Sequence, residues 1–277
     1  LILPAFIAGG IAQINLLVDT IFASLLITGS PTWLYVSDRL IQFPMGIFAI
    51  AIGTVLLPSL SKAYAKKEIE AFTDQLAHAF KLIFFLAIPS LIGLILFASP
   101  LLATIFQRGA FLWIDVQQAS LSLIGFAFGL PFFMAMKVLV PAFFSRQNTK
   151  TPMLIALLSL LINISLNYLL AFYFELGHLG LAIASSISAI VSVIILSMIL
   201  KREGLISFSG ILSAFSLKVL TASVALIVFL LIFNQHFDFE LFTQAQRLIY
   251  LCVAVIGSIM TYFGVSFLLG VRATDFR

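Results

Sequence analysis

The sequence predicts an all-α integral membrane protein with about eight transmembrane helices. Of its 277 residues, 62% are hydrophobic and only 9% are charged, a balance that a water-soluble domain of this size does not tolerate. Apolar runs of about twenty residues recur along the chain, each long enough to cross a hydrocarbon core as a helix that satisfies its own backbone hydrogen bonds. Pro, Gly and charged residues punctuate these runs. The composition excludes other classes. A single cysteine, Cys252, leaves no intrachain disulfide and no CxxC site, and no GxxxxGK[ST] or GxGxxG element supports nucleotide hydrolysis.

Taken in order, the spans cover roughly 3 to 28, 34 to 57, 80 to 105, 117 to 144, 151 to 174, 179 to 200, 213 to 234 and 247 to 270. The first residues, LILPAFIAGGI, read as helix interior without an initiator Met, so the chain is expected to begin inside a longer protein. The third and fourth spans hold Pro89 and Pro131, each expected to kink its helix by removing a backbone donor. Between the second and third spans, the stretch at about 62–80 is too polar to cross. It places Ile69, Phe72, Leu76 and Phe80 at helical spacing. It is expected to lie as an amphipathic helix in the interface, as an anchor or a docking site. The last two spans carry Phe215, Phe229, Phe233, Tyr250, Tyr262, Phe263 and Phe267 but no internal charge, which by itself reads as lipid-facing surface.

The connections alternate in charge. Lys62, Lys66, Lys67 and Lys81 follow the second span, Arg146 and Lys150 the fourth, Lys201, Arg202 and Lys218 the sixth, and Arg272 and Arg277 the eighth. The remaining connections carry Arg108 and Arg247 with Asp115, Glu175, Asp238 and Glu240. By the positive-inside rule the first group is cytoplasmic, which puts both ends of the chain there. An even number of spans requires the same.

Charges within the spans are the functional candidates, because a charge at membrane depth costs several kcal/mol unless it faces a wet or polar interior. Asp38 and Arg39 open an otherwise uncharged run in WLYVSDRLIQFPMGIFAIAIGTVLLP. Adjacent helical residues point about 100 degrees apart, so the two are poorly placed to pair with each other. The Arg39 guanidinium is a planar fork of donors suited to pyrophosphate oxygens. Snorkelling or pairing is its structural alternative. Lys137, in GLPFFMAMKVLVPAFF, is the other base inside a span and a candidate for the same cavity. Asp19 is the third unusual charge, with Asn15 a turn before it and Thr20 beside it. Asn163 and Asn167 lie one turn apart, and Ser185, Ser186 and Ser188 follow in LAIASSIS. Carboxylate, amide and hydroxyl oxygens suit a hard cation such as sodium, so Asp19, Asn163, Asn167 and Ser186 form a candidate ion site. Polar glue between helices and protonation of Asp19 are the competing readings.

QINLLVDTIFAS, the following GS, and SDRLIQFPMGIFAIAIGTVLLPSLSKAYA, together with SRQNTKTPM and LINISLNYLL, resemble the MurJ/MviN family of lipid II flippases. That family lies within the multidrug/oligosaccharidyl-lipid/polysaccharide exporter superfamily. Its members are longer, so the resemblance implies the C-terminal part of one. It implies a second six-helix lobe over 1–202 and an additional two-helix hydrophobic groove element over 203–277, where a polyprenyl tail could lie. It places Arg39 in the central cavity, holding the lipid-linked pyrophosphate, with Asp38 beside it. It supplies no role for Lys137. Some members carry a sodium site on the helices of Asp19, Asn163 and Asn167, but here Asn167 stands in place of a carboxylate, leaving Asp19 the one charge.

The function implied is alternating-access flipping of lipid II in the bacterial cytoplasmic membrane for cell-wall synthesis. It is driven by sodium, protons or membrane potential, with no covalent chemistry, no cofactor and no nucleic acid partner. The implied partners are lipid II or a similar polyprenyl-pyrophosphate sugar, membrane lipids and an N-terminal lobe. An exporter of another polyprenyl-linked saccharide or of drugs, or a non-transporting scaffold, are the alternatives. The extra helix pair argues against drug export, and the intramembrane charges argue against a scaffold.

Overall fold

The structure is a computed structural model that describes residues 2–206, 214–234 and 242–272, with side chains for all of these except 2–8 and 214. Asp238, Glu240 and Arg277 lie outside the described residues. The described chain is helical: α1 (Ile2–Ser24), α2 (Ser30–Pro44), α3 (Ala51–Ala65), α4 (Ile69–Leu96), α5 (Ala98–Phe106), α6 (Trp113–Ala127), α7 (Leu130–Phe144), α8 (Lys150–Asn167), α9 (Gly177–Arg202), α10 (Ala214–Asn234) and α11 (Gln244–Leu268). Two π-helical turns, Met45–Ile50 and Tyr168–Tyr173, join α2 to α3 and extend α8. Six helices are long and apolar enough to cross a membrane, and α6 with α7 meets the same length and composition as a pair bent by 43°. Helix α1, 23 residues long, has the length for the eighth. Large apolar side chains such as Phe43, Val55, Leu217, Met260 and Phe267 stand exposed around the bundle, as a surface in contact with lipid requires.

Prolines shape the spans in three different ways. Pro44 supplies no N–H to the carbonyl one turn before it, and the ladder shifts to π geometry over Met45–Ile50 while the helix continues as a single 36-residue unit, Ser30–Ala65. Pro131 falls in the first turn of α7, where its missing N–H costs nothing, and the expected bend opens just before it at Phe128 and Gly129. At Pro89, by contrast, α4 runs on unbroken. The Tyr262 hydroxyl of α11 donates to the Phe85 carbonyl at 2.7 Å, supplying the hydrogen bond that the proline cannot.

The expected interfacial helix at 62–80 is not a separate element. Residues 62–65 close α3, and 69–80 are the opening turns of α4. No Gly or Pro interrupts α4 before Pro89, and the apolar stripe continues in register into the span. Phe72 and Leu76 are fully buried in the same core as Leu60 of α3, with Tyr64 edge-on to Phe72 at 6.1 Å, so protein covers that face. The third span accordingly starts and ends earlier than the hydropathy reading.

The six-span portion is woven around α9, which packs on α6, α7 and α8, while α1 lies on α8 and α2 on α6. Gly180 permits one close approach. A Cβ there would stand 2.7 Å from the Leu170 carbonyl carbon, so α9 can press against the π turn only without a side chain. The last pair, α10 and α11, docks on α4 and α5 through rings: Phe97 stacks on Tyr250 at 5.9 Å, and Phe85 meets Tyr262 at 5.1 Å.

Candidate functional site

A cavity of about 590 Å³ opens between α1, α2, α7 and α9, lined by Asp19, Asp38, Lys137, Tyr35, Gln42, Asn15 and Ser185 among others. Helix α2 supplies one face of it, because Tyr35, Asp38 and Gln42 fall at i, i+3 and i+7 and so project on one side. Three of the charged side chains singled out from sequence are involved in different ways. Asp38 and Lys137 line the cavity directly. Arg39 is exposed and is absent from the lining; its Nη1 donates to Gln42 Oε1 at 3.3 Å and its guanidinium lies over the Tyr35 ring at 4.7 Å. Gln42 Nε2 in turn donates to Asp38. Gln42 therefore bridges the acid and the base, which make no ion pair with each other among the described residues. The arginine is held by a polar side chain and a ring while its remaining donors stay available.

The second group lies where α1, α8 and α9 meet. Asp19 accepts from Asn167 Nδ2 at 2.6 Å, from Ser185 Oγ at 3.2 Å and from Asn15 Nδ2 at 3.5 Å. Asn167 Nδ2 also donates to Asn163 Oδ1 at 3.0 Å, and Asn163 Nδ2 to Ser185 Oγ at 3.1 Å. Asp19, Asn163 and Asn167 thus come together, but Ser186 does not join them. It is buried on the face of α9 turned toward α6, where its hydroxyl donates to the Gly125 carbonyl at 2.7 Å, and Ser185 takes its place in the cluster. The reason is helical phase, since neighbouring residues diverge by about 100 degrees. Asn167 is fully buried, and its Oδ1 has no partner. A carboxylate, two amide oxygens and a hydroxyl, one of those oxygens unsatisfied, are a donor set that fits a small hard cation.

Sequence reasoning missed Tyr35 and Gln42, although the Asp38 to Gln42 spacing of four was a readable signal. It also passed over a buried knot at the other end of α2. There Trp33 Nε1 donates to Asp115 at 2.8 Å, and His178 lies between Ser122 at 2.7 Å and Gln118 at 3.0 Å. These partners sit on three different helices, so no local pattern announced them. An apolar groove of about 410 Å³ runs between the α2 end, α4, α10 and α11, walled by Phe43, Ile47, Leu226, Leu251 and Phe263.

A multi-pass helical bundle with broken helices around a charged internal cavity has the architecture of a secondary transporter. Solved structures of multidrug MATE transporters share the fold, one of them in an outward-facing conformation, with a TM-score of 0.64 at 18% identity over 95% of this chain and 62% of the other. The particular family follows from sequence. Residues 1–251 match the family model of the lipid II flippase MurJ, and the chain belongs to that family.

Relatives named probable lipid II flippase MurJ are 36% identical over all of this chain in Vibrio cholerae and 38% identical over 98% of it in Haemophilus influenzae. A solved lipid II flippase MurJ in an inward closed conformation superposes with a TM-score of 0.77 at 27% identity, over 95% of this chain and 52% of that one. The chain spans about half the length of the curated relatives it matches, 53% and 54% in these two cases. Its membership in the family makes it a multi-pass membrane protein of the bacterial inner membrane, as the sequence led one to expect.

Proposed function

We propose that this chain forms the C-terminal lobe of a lipid II flippase that works by alternating access. The observation that carries the reading is the cavity that brings Asp38, Lys137 and Asp19 together inside an otherwise apolar bundle of a MurJ-family chain. Lys137 offers a point charge within the cavity, and Arg39, outside the lining but held against Gln42 and Tyr35, which belong to it, offers a bidentate fork to the pyrophosphate of the substrate from beside the cavity. The headgroup crosses through this polar interior while the polyprenyl tail stays along the apolar groove beside α10 and α11, which avoids burying a pyrophosphate and sugars in hydrocarbon.

Orientation follows from the alternation of bases along the connections, with both ends of the 277-residue segment on the cytoplasmic side. Driving force comes from charge displacement in the membrane field, about 2.3 kcal/mol per elementary charge per 100 mV, or from an ion gradient acting at the Asp19 cluster. If sodium couples, Asp19, Asn163, Asn167 and Ser185 would hold it, and the ion would supply the positive charge that balances the Asp19 carboxylate.

The test places Arg39→Ala and Arg39→Lys in the full-length protein and follows cell survival and lipid-linked precursor on the inner leaflet. With normal expression, loss in both variants is expected, because a lysine cannot reproduce the fork. Flipping at the parental rate in both would remove Arg39 from the substrate site.

A further inference from the structure

We propose that Gly53 is a positioning residue for Lys137, acting through a backbone contact that Pro141 makes possible. This rests on the reading of Lys137 as a cavity cation.

In α7 the carbonyl of Lys137 would ordinarily accept from the amide four residues later, but residue 141 is proline and has no N–H. That oxygen is turned against α3. A Cβ built on Gly53 would lie 2.8 Å from it and 4.0 Å from the Lys137 Cβ. No side chain can be accommodated there without moving the α7 backbone, since the obstacle is a main-chain oxygen and not the end of a flexible side chain. The glycine lets the two backbones meet closely, as small residues do at helix crossings in membranes, and its Cα–H side faces a carbonyl whose usual donor, the amide of residue 141, is missing.

The contact matters because of what each helix carries. Gly53 belongs to the same continuous helix, Ser30–Ala65, that bears Asp38 and Arg39 before its π turn. The residue it touches is the one whose side chain enters the cavity. One backbone contact therefore sets how far the Lys137 charge stands from the charges of α2. At Gly264, by contrast, an added Cβ would meet nothing within 4 Å.

The experiment measures how fast a charged, membrane-impermeant thiol reagent modifies Lys137→Cys in the full-length protein, in a background without other cysteines. It is run with glycine and with alanine at 53. Tyr35→Cys on the facing wall serves as a second reporter, and Gly264→Ala as the control substitution. Gly53→Ala is expected to change the Lys137→Cys rate severalfold, because the α7 backbone that carries the reporter has to move to admit the new Cβ. Tyr35→Cys and the amount of folded protein should stay constant. Equal rates at Lys137→Cys with either residue overturn the proposal. So does a parallel change at both reporters, which would mean general loosening. If the Lys137→Cys rate responds as expected but Lys137→Ala flips substrate at the parental rate, the reading of Lys137 as a substrate cation fails while the positioning role stands.

Discussion

Asn167 is the residue on which the second polar cluster turns. Its amide donates to both Asp19 and Asn163, tying α8 to α1, and its own oxygen is buried without a partner. Replacing it by aspartate puts two carboxylates at hydrogen-bonding distance in a buried place, which costs about 1–3 kcal/mol when nothing neutralises them. Asn167→Asp is therefore expected to lower the unfolding temperature of the full-length protein in sodium-free detergent solution. Sodium should restore more of it than the same concentration of a bulky organic cation, and the parent should respond less. A variant indifferent to sodium would leave the cluster as an interhelical clasp alone. At this scale the sequence was partly legible. The polar residue types and the four-residue spacings stood out, while the choice of Ser185 over Ser186 depended on how α9 is rotated about its axis, which no local pattern reveals.

Among the elements, the docking of α11 on α4 rests on a feature that reads as a defect from sequence. Helix α4 continues as one element through Pro89, and the Tyr262 hydroxyl donates to the Phe85 carbonyl. Tyr262 is only 1% exposed, so the bond lies in a dry environment. Tyr262→Phe should lower stability by about 1 kcal/mol, measured by thermal unfolding in micelles. In a Pro89→Ala background the loss should shrink, because the new amide competes for the same carbonyl. A double-mutant cycle giving no coupling would show that the hydroxyl and the proline act independently. The stretch at 62–80 teaches the converse lesson. Its apolar stripe was read correctly, but periodicity does not say what covers a stripe, and here α3 does so in place of lipid.

For the whole molecule, the alternation of basic connections predicts sidedness. In intact cells producing the full-length protein, an impermeant maleimide should label Glu175→Cys, between α8 and α9, and spare Lys66→Cys, between α3 and α4, until the membrane is opened. The reverse pattern would invert the proposed orientation and with it the direction in which the cavity first opens. The same alternation separates the ends of the bundle: the turn holding Lys66 and Lys67 lies beyond α3, whereas the Trp33, Asp115 and His178 knot lies at the start of α2.

The amino-acid sequence by itself determined that this is a multi-pass helical membrane protein. It also marked which residues bear charge at membrane depth and which family the chain resembles. Hydropathy, charge and motif are local properties, readable without knowing what packs on what. Only the tertiary structure decided that Gln42 bridges Asp38 and Arg39, that Ser185 completes the Asp19 cluster, that Tyr262 answers Pro89, and that Gly53 meets the Lys137 carbonyl. Each of these depends on the rotation and crossing of helices far apart in the chain, which are set by the packing of the whole bundle.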